Sequence, residues 1–150
     1  MQAAAREELR IDSPYPAALL VSYAVPLVCF VGALVTDVAY ERTSEIQWAN
    51  FSAWLLAIGT ALGALCFLYQ LVRLFRAPRW LGGRRGWLSA GLMVIALAIA
   101  LANNFIHARD GWTSVVPSGL ILSAITVALL IAATVLRARS PIHDRIGDAR

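Results

Sequence analysis

Asp37, Asn103, Asn104 and His107 are the polar residues here whose types and spacing could do chemistry, with Arg109, Asp110 and Trp112 just beyond them. Asn103 and His107 stand four apart, so a helix would present them on one face. A carboxylate beside an imidazole can orient the ring or take its proton. Such a pair could relay protons, hold a quinone head group or supply one ligand to a metal or haem iron. The plainer reading makes the same residues caps and glue for helix ends near a membrane surface, where water lowers their penalty. The first reading names His107, Asp37 and Asn103 as candidate cofactor-binding residues. Neither names a catalytic residue, a metal or a particular cofactor.

Other chemistries find little support. There is no Cys-x-x-Cys, no Cys-x-x-Cys-His and no His-Glu-x-x-His. His143 falls in the C-terminal tail, away from His107, so paired histidine ligands would require two copies of the chain. Gly82-Gly83-Arg84-Arg85-Gly86 lacks the strand-and-helix setting of a nucleotide loop. No serine, cysteine or histidine combination suggests a hydrolase, and the chain reads as a non-enzyme more readily than as an enzyme. Cys29 and Cys66 lie about 18 and 12 Å from the cytoplasmic ends of their expected helices. A disulfide needs alpha carbons within about 7 Å, and packing is the expected role of both.

The elements that must position the polar residues are apolar. The chain has 150 residues, 59% of them hydrophobic and 15% charged. Four windows carry no formal charge: Ser13–Thr36, Ile46–Val72, Gly86–Ala108 and Gly111–Leu136. Each exceeds the roughly 20 residues needed to cross the hydrocarbon core. Alternation is absent, and alanine and leucine dominate, so the spans are helices rather than strands of a closed barrel. The expectation is one all-α transmembrane domain over residues 1–150, an antiparallel four-helix bundle with helices near 17–40, 49–74, 87–108 and 115–136.

Charge sets the orientation. The connection between the second and third helices carries Arg73, Arg76, Arg79, Arg84 and Arg85 with no acid. The first connection carries Asp37, Glu41 and Glu45 against Arg42, while Arg109 and Asp110 cancel in the third. Arg137 and Arg139 follow the last helix. The positive-inside rule then places the arginine-rich loop and both termini in the cytoplasm of a multi-pass membrane protein. Tyr40, Trp48 and Trp112 are expected in an outer aromatic belt, and Tyr15, Tyr69, Trp80 and Trp87 in an inner one. The net charge of +4 is explained by these flanks, with the bilayer as partner and no nucleic acid. The N-terminal segment, with mixed charges and a long apolar stretch after it, does not read as a signal peptide.

Breakers and small residues refine the picture. Pro14 and Pro16 are expected before the first helix, Pro78 in the arginine-rich loop and Pro117 in the first turn of the last helix. Pro26 falls inside the first helix, where a kink is expected. Gly59 and Gly63 make a small-residue face on the second helix, and Gly91, Ala98 and Ala102 one on the third. Such faces serve the bundle or a homodimer, with internal use favoured. A shift of 66 residues superimposes Asp37 on Asn103, Ser52 on Ser118, Leu56 on Leu122, Thr60 on Thr126 and Arg73 on Arg139. Each half is then an out-and-back hairpin.

Gly32-x-x-x-x-Asp37-x-x-Tyr40, Trp48 through Gly59, and Asn104-Phe-Ile-His107-x-Arg109-Asp110-x-Trp112 together resemble a family of small bacterial membrane proteins, domain-of-unknown-function family 2231. The resemblance runs from about Pro16 to Arg139. It implies four membrane helices, an unassigned activity and an occasional neighbourhood of redox or metal-related genes. Many relatives begin the first helix with His-Pro and a second histidine soon after. Here the region reads Ser13-Pro14-Tyr15-Pro16, with Ser22 and Tyr23 beyond, so any ligand role of those histidines is lost. Three functional classes follow: an accessory or structural subunit of a larger membrane system, a redox or cofactor-binding subunit using Asp37 and His107, or an oligomeric transporter or channel. An almost wholly apolar midplane counts against transport by one copy.

Overall fold

The computed structural model describes residues 15–76, 84–108 and 115–138, with side chains from Val21 onward. Four helices account for nearly all of them: α1 (Tyr15–Thr43), α2 (Ile46–Arg76), α3 (Arg84–His107) and α4 (Ser118–Ala138). All four are long and apolar enough to cross a membrane. Each extends past the range expected for it at one or both ends. The reason is physical: a helix does not stop where hydrocarbon ends, because polar residues propagate it well. Arg84 and Arg85, expected in the loop, form the first turn of α3 although the helix dipole there disfavours cations.

Proline placement corrects two expectations. Pro16 lies inside the first turn of α1, where its fixed φ suits a helix and its missing N–H leaves nothing unsatisfied. Pro117 lies just before α4 rather than within its first turn, and its carbonyl accepts the amide of Ile121 at 3.1 Å. Pro26 is fully buried within a continuous α1. Pro14, Pro78, Trp80, Arg109, Asp110, Trp112 and His143 lie outside the described residues.

Packing follows chain order. α1 lies chiefly on α2 and α3 on α4, while α1 with α4 and α2 with α3 close a ring. Along its centre run Tyr23, Phe30, Ala33, Leu56, Met93, Ala96, Ala100, Val127, Leu130 and Ala133. Alanine here sets the spacing, since a small side chain on one helix lets a ring or leucine from another fill the axis. Gly59 and Gly63 act in the same way. A Cβ on Gly59 would come within 2.8 Å of Cys29 Cβ, and one on Gly63 within 2.7 Å of Leu97 Cδ2 and 3.3 Å of Pro26 Cβ. Their small face is therefore spent inside the bundle. Gly91, Ala98 and Ala102 face outward instead, and a Cβ on Gly91 would meet nothing.

The thiols of Cys29 and Cys66 are free and half-buried. The aromatic belts need one correction: Tyr40 is buried against Ala49 and Val115, so it packs a connection rather than facing head groups. Trp48 packs partly on the same cluster, whereas Tyr69 and Trp87 remain exposed.

Two polar layers interrupt the apolar axis. In one, Tyr23 and Ser89 hydroxyls lie 2.6 Å apart, and Ser89 donates to the Ala133 carbonyl at 2.8 Å. Ser89 has one hydrogen, so Tyr23 is the donor between them. Gln70 joins the layer by donating to Ser22 at 3.1 Å. The other layer, toward the C-terminal ends of α1 and α3, holds the candidate site.

Candidate functional site

Asp37 is fully buried, and all three other helices reach its carboxylate. Ser52 of α2 donates to Oδ1 at 2.5 Å, and Ser123 of α4 donates to Oδ2 at 2.6 Å. His107 of α3 places Nε2 at 2.9 Å from Oδ1. The side chains of the pair are 1% and 0% exposed, although the His107 backbone at the helix end is open. Isolated, an ionised carboxylate here would carry a penalty of several kcal/mol, and these bonds are what offset it.

The ring of His107 is fixed from both sides. Nδ1 lies 3.0 Å from the Asn103 carbonyl one turn earlier. A carbonyl only accepts, so Nδ1 carries a hydrogen and donates it. Asn103 is itself fully buried and donates through Nδ2 to the Ser123 hydroxyl at 2.8 Å. Its Oδ1 has no partner among the described residues. Asn104 faces the other way, donating to Thr60 at 2.9 Å and to its own Ala100 carbonyl at 2.8 Å.

Close approach of α4 to this cluster depends on Gly119. A Cβ there would stand 2.9 Å from His107 Cε1 and 3.4 Å from Asn103 Oδ1. Even alanine would press on the imidazole.

The structure thus brings together Asp37, Asn103 and His107, the three candidates of the sequence. It adds Ser52, Ser123 and Gly119, which sequence reasoning missed. The available signal was faint: Ser52 and Ser123 are small polar residues on the buried stripes of α2 and α4. Arg109 and Asp110 lie outside the described residues.

As a ligand set the cluster is poor. Among the described residues no group of three or more His, Cys, Asp or Glu side chains comes together. Both nitrogens of His107 already face internal partners, so a metal or haem iron would first have to displace Asp37 or the Asn103 carbonyl. The residues do not fit such a group as they stand.

Four apolar spans closed around a buried polar knot define a polytopic helical membrane protein. Residues 18–150 match the family described as predicted membrane protein DUF2231, and the chain belongs to that family. No curated protein and no solved structure matches it.

Proposed function

We propose that this chain is an accessory or structural subunit of a larger membrane system rather than an enzyme. It forms one antiparallel four-helix domain in a bacterial inner membrane with both termini in the cytoplasm. The observation that carries the reading is the single carboxylate of Asp37, bonded from all three other helices, with both side chains of the pair almost wholly buried. A centre that acts on a substrate needs a group that a molecule larger than a proton can approach. Here every hydrogen-bonding direction of the pair points inward, which suits fastening a shape that other subunits recognise. The arginine distribution supports the orientation, since Arg73, Arg76, Arg84 and Arg85 mark one end of the bundle.

The cofactor reading keeps one supporting observation, the Asp37–His107 pair itself, and one experiment separates the two. Absorption spectra of detergent-purified protein before and after reduction, with metal analysis, are set beside thermal unfolding of Asp37→Ala. The structural reading expects a featureless visible spectrum and a marked fall in unfolding temperature. A reducible band or stoichiometric metal lost in His107→Ala would overturn it in favour of a cofactor-binding subunit.

A further inference from the structure

We propose that Asp37 and His107 form a binding site for a single proton, filled and emptied from the His107 end of the bundle only. The proposal rests on the same cluster as the structural reading but asks what that cluster binds.

Counting hydrogens leads there. Nδ1 of His107 must carry one, because its neighbour is the Asn103 carbonyl. Ser123 accepts from Asn103 and turns its own hydrogen to Asp37 Oδ2. Ser52 has one hydrogen, and its nearest acceptor is Asp37 Oδ1 at 2.5 Å, against 3.3 Å to the Ala33 carbonyl. The 2.9 Å gap between Nε2 and Oδ1 is then left without a hydrogen unless the cluster holds one more. With that proton the pair is imidazolium and carboxylate, or imidazole and carboxylic acid. Its net charge is zero either way. Without it, two lone pairs face each other and a net negative charge is enclosed among apolar helices, an expensive arrangement.

An emptied state still has a defined form. Ser52 Oγ lies 3.2 Å from Nε2, so its hydroxyl can turn from the carboxylate to the ring without moving a helix. Asp37 would keep Ser123 and lose two donors.

Among the described residues, few other titratable groups bear on the pair. On α1 the buried neighbour is Tyr40, with Glu41 and Arg42 exposed, and Glu45 in the connection after it is exposed too. The facing residues of α2 and α4 are Ser52, Gly119 and Ser123, which do not titrate, and α3 contributes His107 itself. Phe30, Leu56, Met93, Ala100 and Leu130 then separate the pair from the Tyr23–Ser89 layer. Among the described residues Thr126 and the Asn104–Thr60 pair are polar side chains within that stretch. Thr126 is bonded to the Leu122 carbonyl, and Asn104 to Thr60 and the Ala100 carbonyl, short of the Tyr23–Ser89 layer. The open backbone of His107 marks the short way out.

The test uses the full chain in detergent, labelled with ¹⁵N-histidine and carrying His143→Ala so that His107 alone reports. At neutral pH the ring spectrum is read together with the infrared carboxylic-acid band lost in Asp37→Asn. The proposal expects both ring nitrogens protonated without that band, or only Nδ1 protonated with it. Only Nδ1 protonated beside an ionised Asp37 would overturn it. In vesicles of uniformly oriented protein, a pH step on the His107 side should change this signature and a step on the Arg73 side should not. An equal response from both sides would overturn the one-sided path. An unaltered unfolding temperature in Asp37→Ala would instead defeat the structural reading and leave these spectra to stand alone.

Discussion

Asp37 and Asn103 are bonded to the same hydroxyl, that of Ser123, which donates to the carboxylate and accepts from the amide. The two residues are separated by the 66-residue interval that also separates Tyr23 from Ser89, whose hydroxyls bond across the opposite layer. Corresponding places on α1 and α3 thus meet at the bundle axis in both layers. The consequence is that Asp37 is held by hydroxyls from two helices at once, and removing it breaks a side-chain bond from α1 to each.

Asp37→Ala should lower stability by about 3–5 kcal/mol, because it strands an imidazole and two hydroxyls in the core. Asp37→Asn should lose less, since an amide can still meet each partner. Thermal unfolding in one detergent, with both variants side by side, checks the order as well as the size.

Gly119→Ala should weaken the same region through sterics alone. The new methyl group would lie 2.9 Å from His107 Cε1, and overpacking of this kind costs about 1–3 kcal/mol. Gly91→Ala, where a Cβ meets nothing, should be neutral or slightly stabilising, alanine being the better helix former. Equal effects of the two would refute the assigned packing.

Tyr23→Phe removes one hydroxyl from the other layer while Ser89 keeps its bond to the Ala133 carbonyl. A loss of about 1 kcal/mol is expected. The ¹⁵N spectrum of His107 should not change, because Phe30, Ala100 and Leu130 stand between the two layers.

Orientation is checked by single cysteines in a chain whose Cys29 and Cys66 are replaced by alanine. A cysteine at Glu45 should react with an impermeant thiol reagent added outside intact cells. One at Arg76 should react only after the membrane is opened. The reverse pattern would invert the topology.

The four spans were legible because charge is excluded from them so completely, and Asp37 with His107 because ionisable groups in such segments must find each other or water. Ser52 and Ser123 were not legible for a definite reason. A hydroxyl in an apolar helix satisfies itself on the carbonyl three or four residues back, as Thr36, Thr126 and Thr134 do here. Nothing local distinguishes a serine that reaches across to another helix. The role of Gly119 was hidden similarly, since it depends on a ring contributed by a different helix. The end of α1 was blurred by a tight Ser44–Glu45 connection, with Ser44 at φ 57° and its amide on the Tyr40 carbonyl. No glycine or asparagine marks that turn.

The apolar stretch between the two polar layers has an electrical meaning as well. Most of a membrane voltage falls across hydrocarbon-like material, where moving one elementary charge through the whole drop is worth about 2.3 kcal/mol per 100 mV. Asp37 and His107 stand on one edge of that insulator, with Phe30, Met93 and Leu130 beneath them. A charge arriving from the nearer water crosses only a small part of the field. Occupancy of the pair should therefore follow the acidity of one compartment and stay almost indifferent to the potential of the cell.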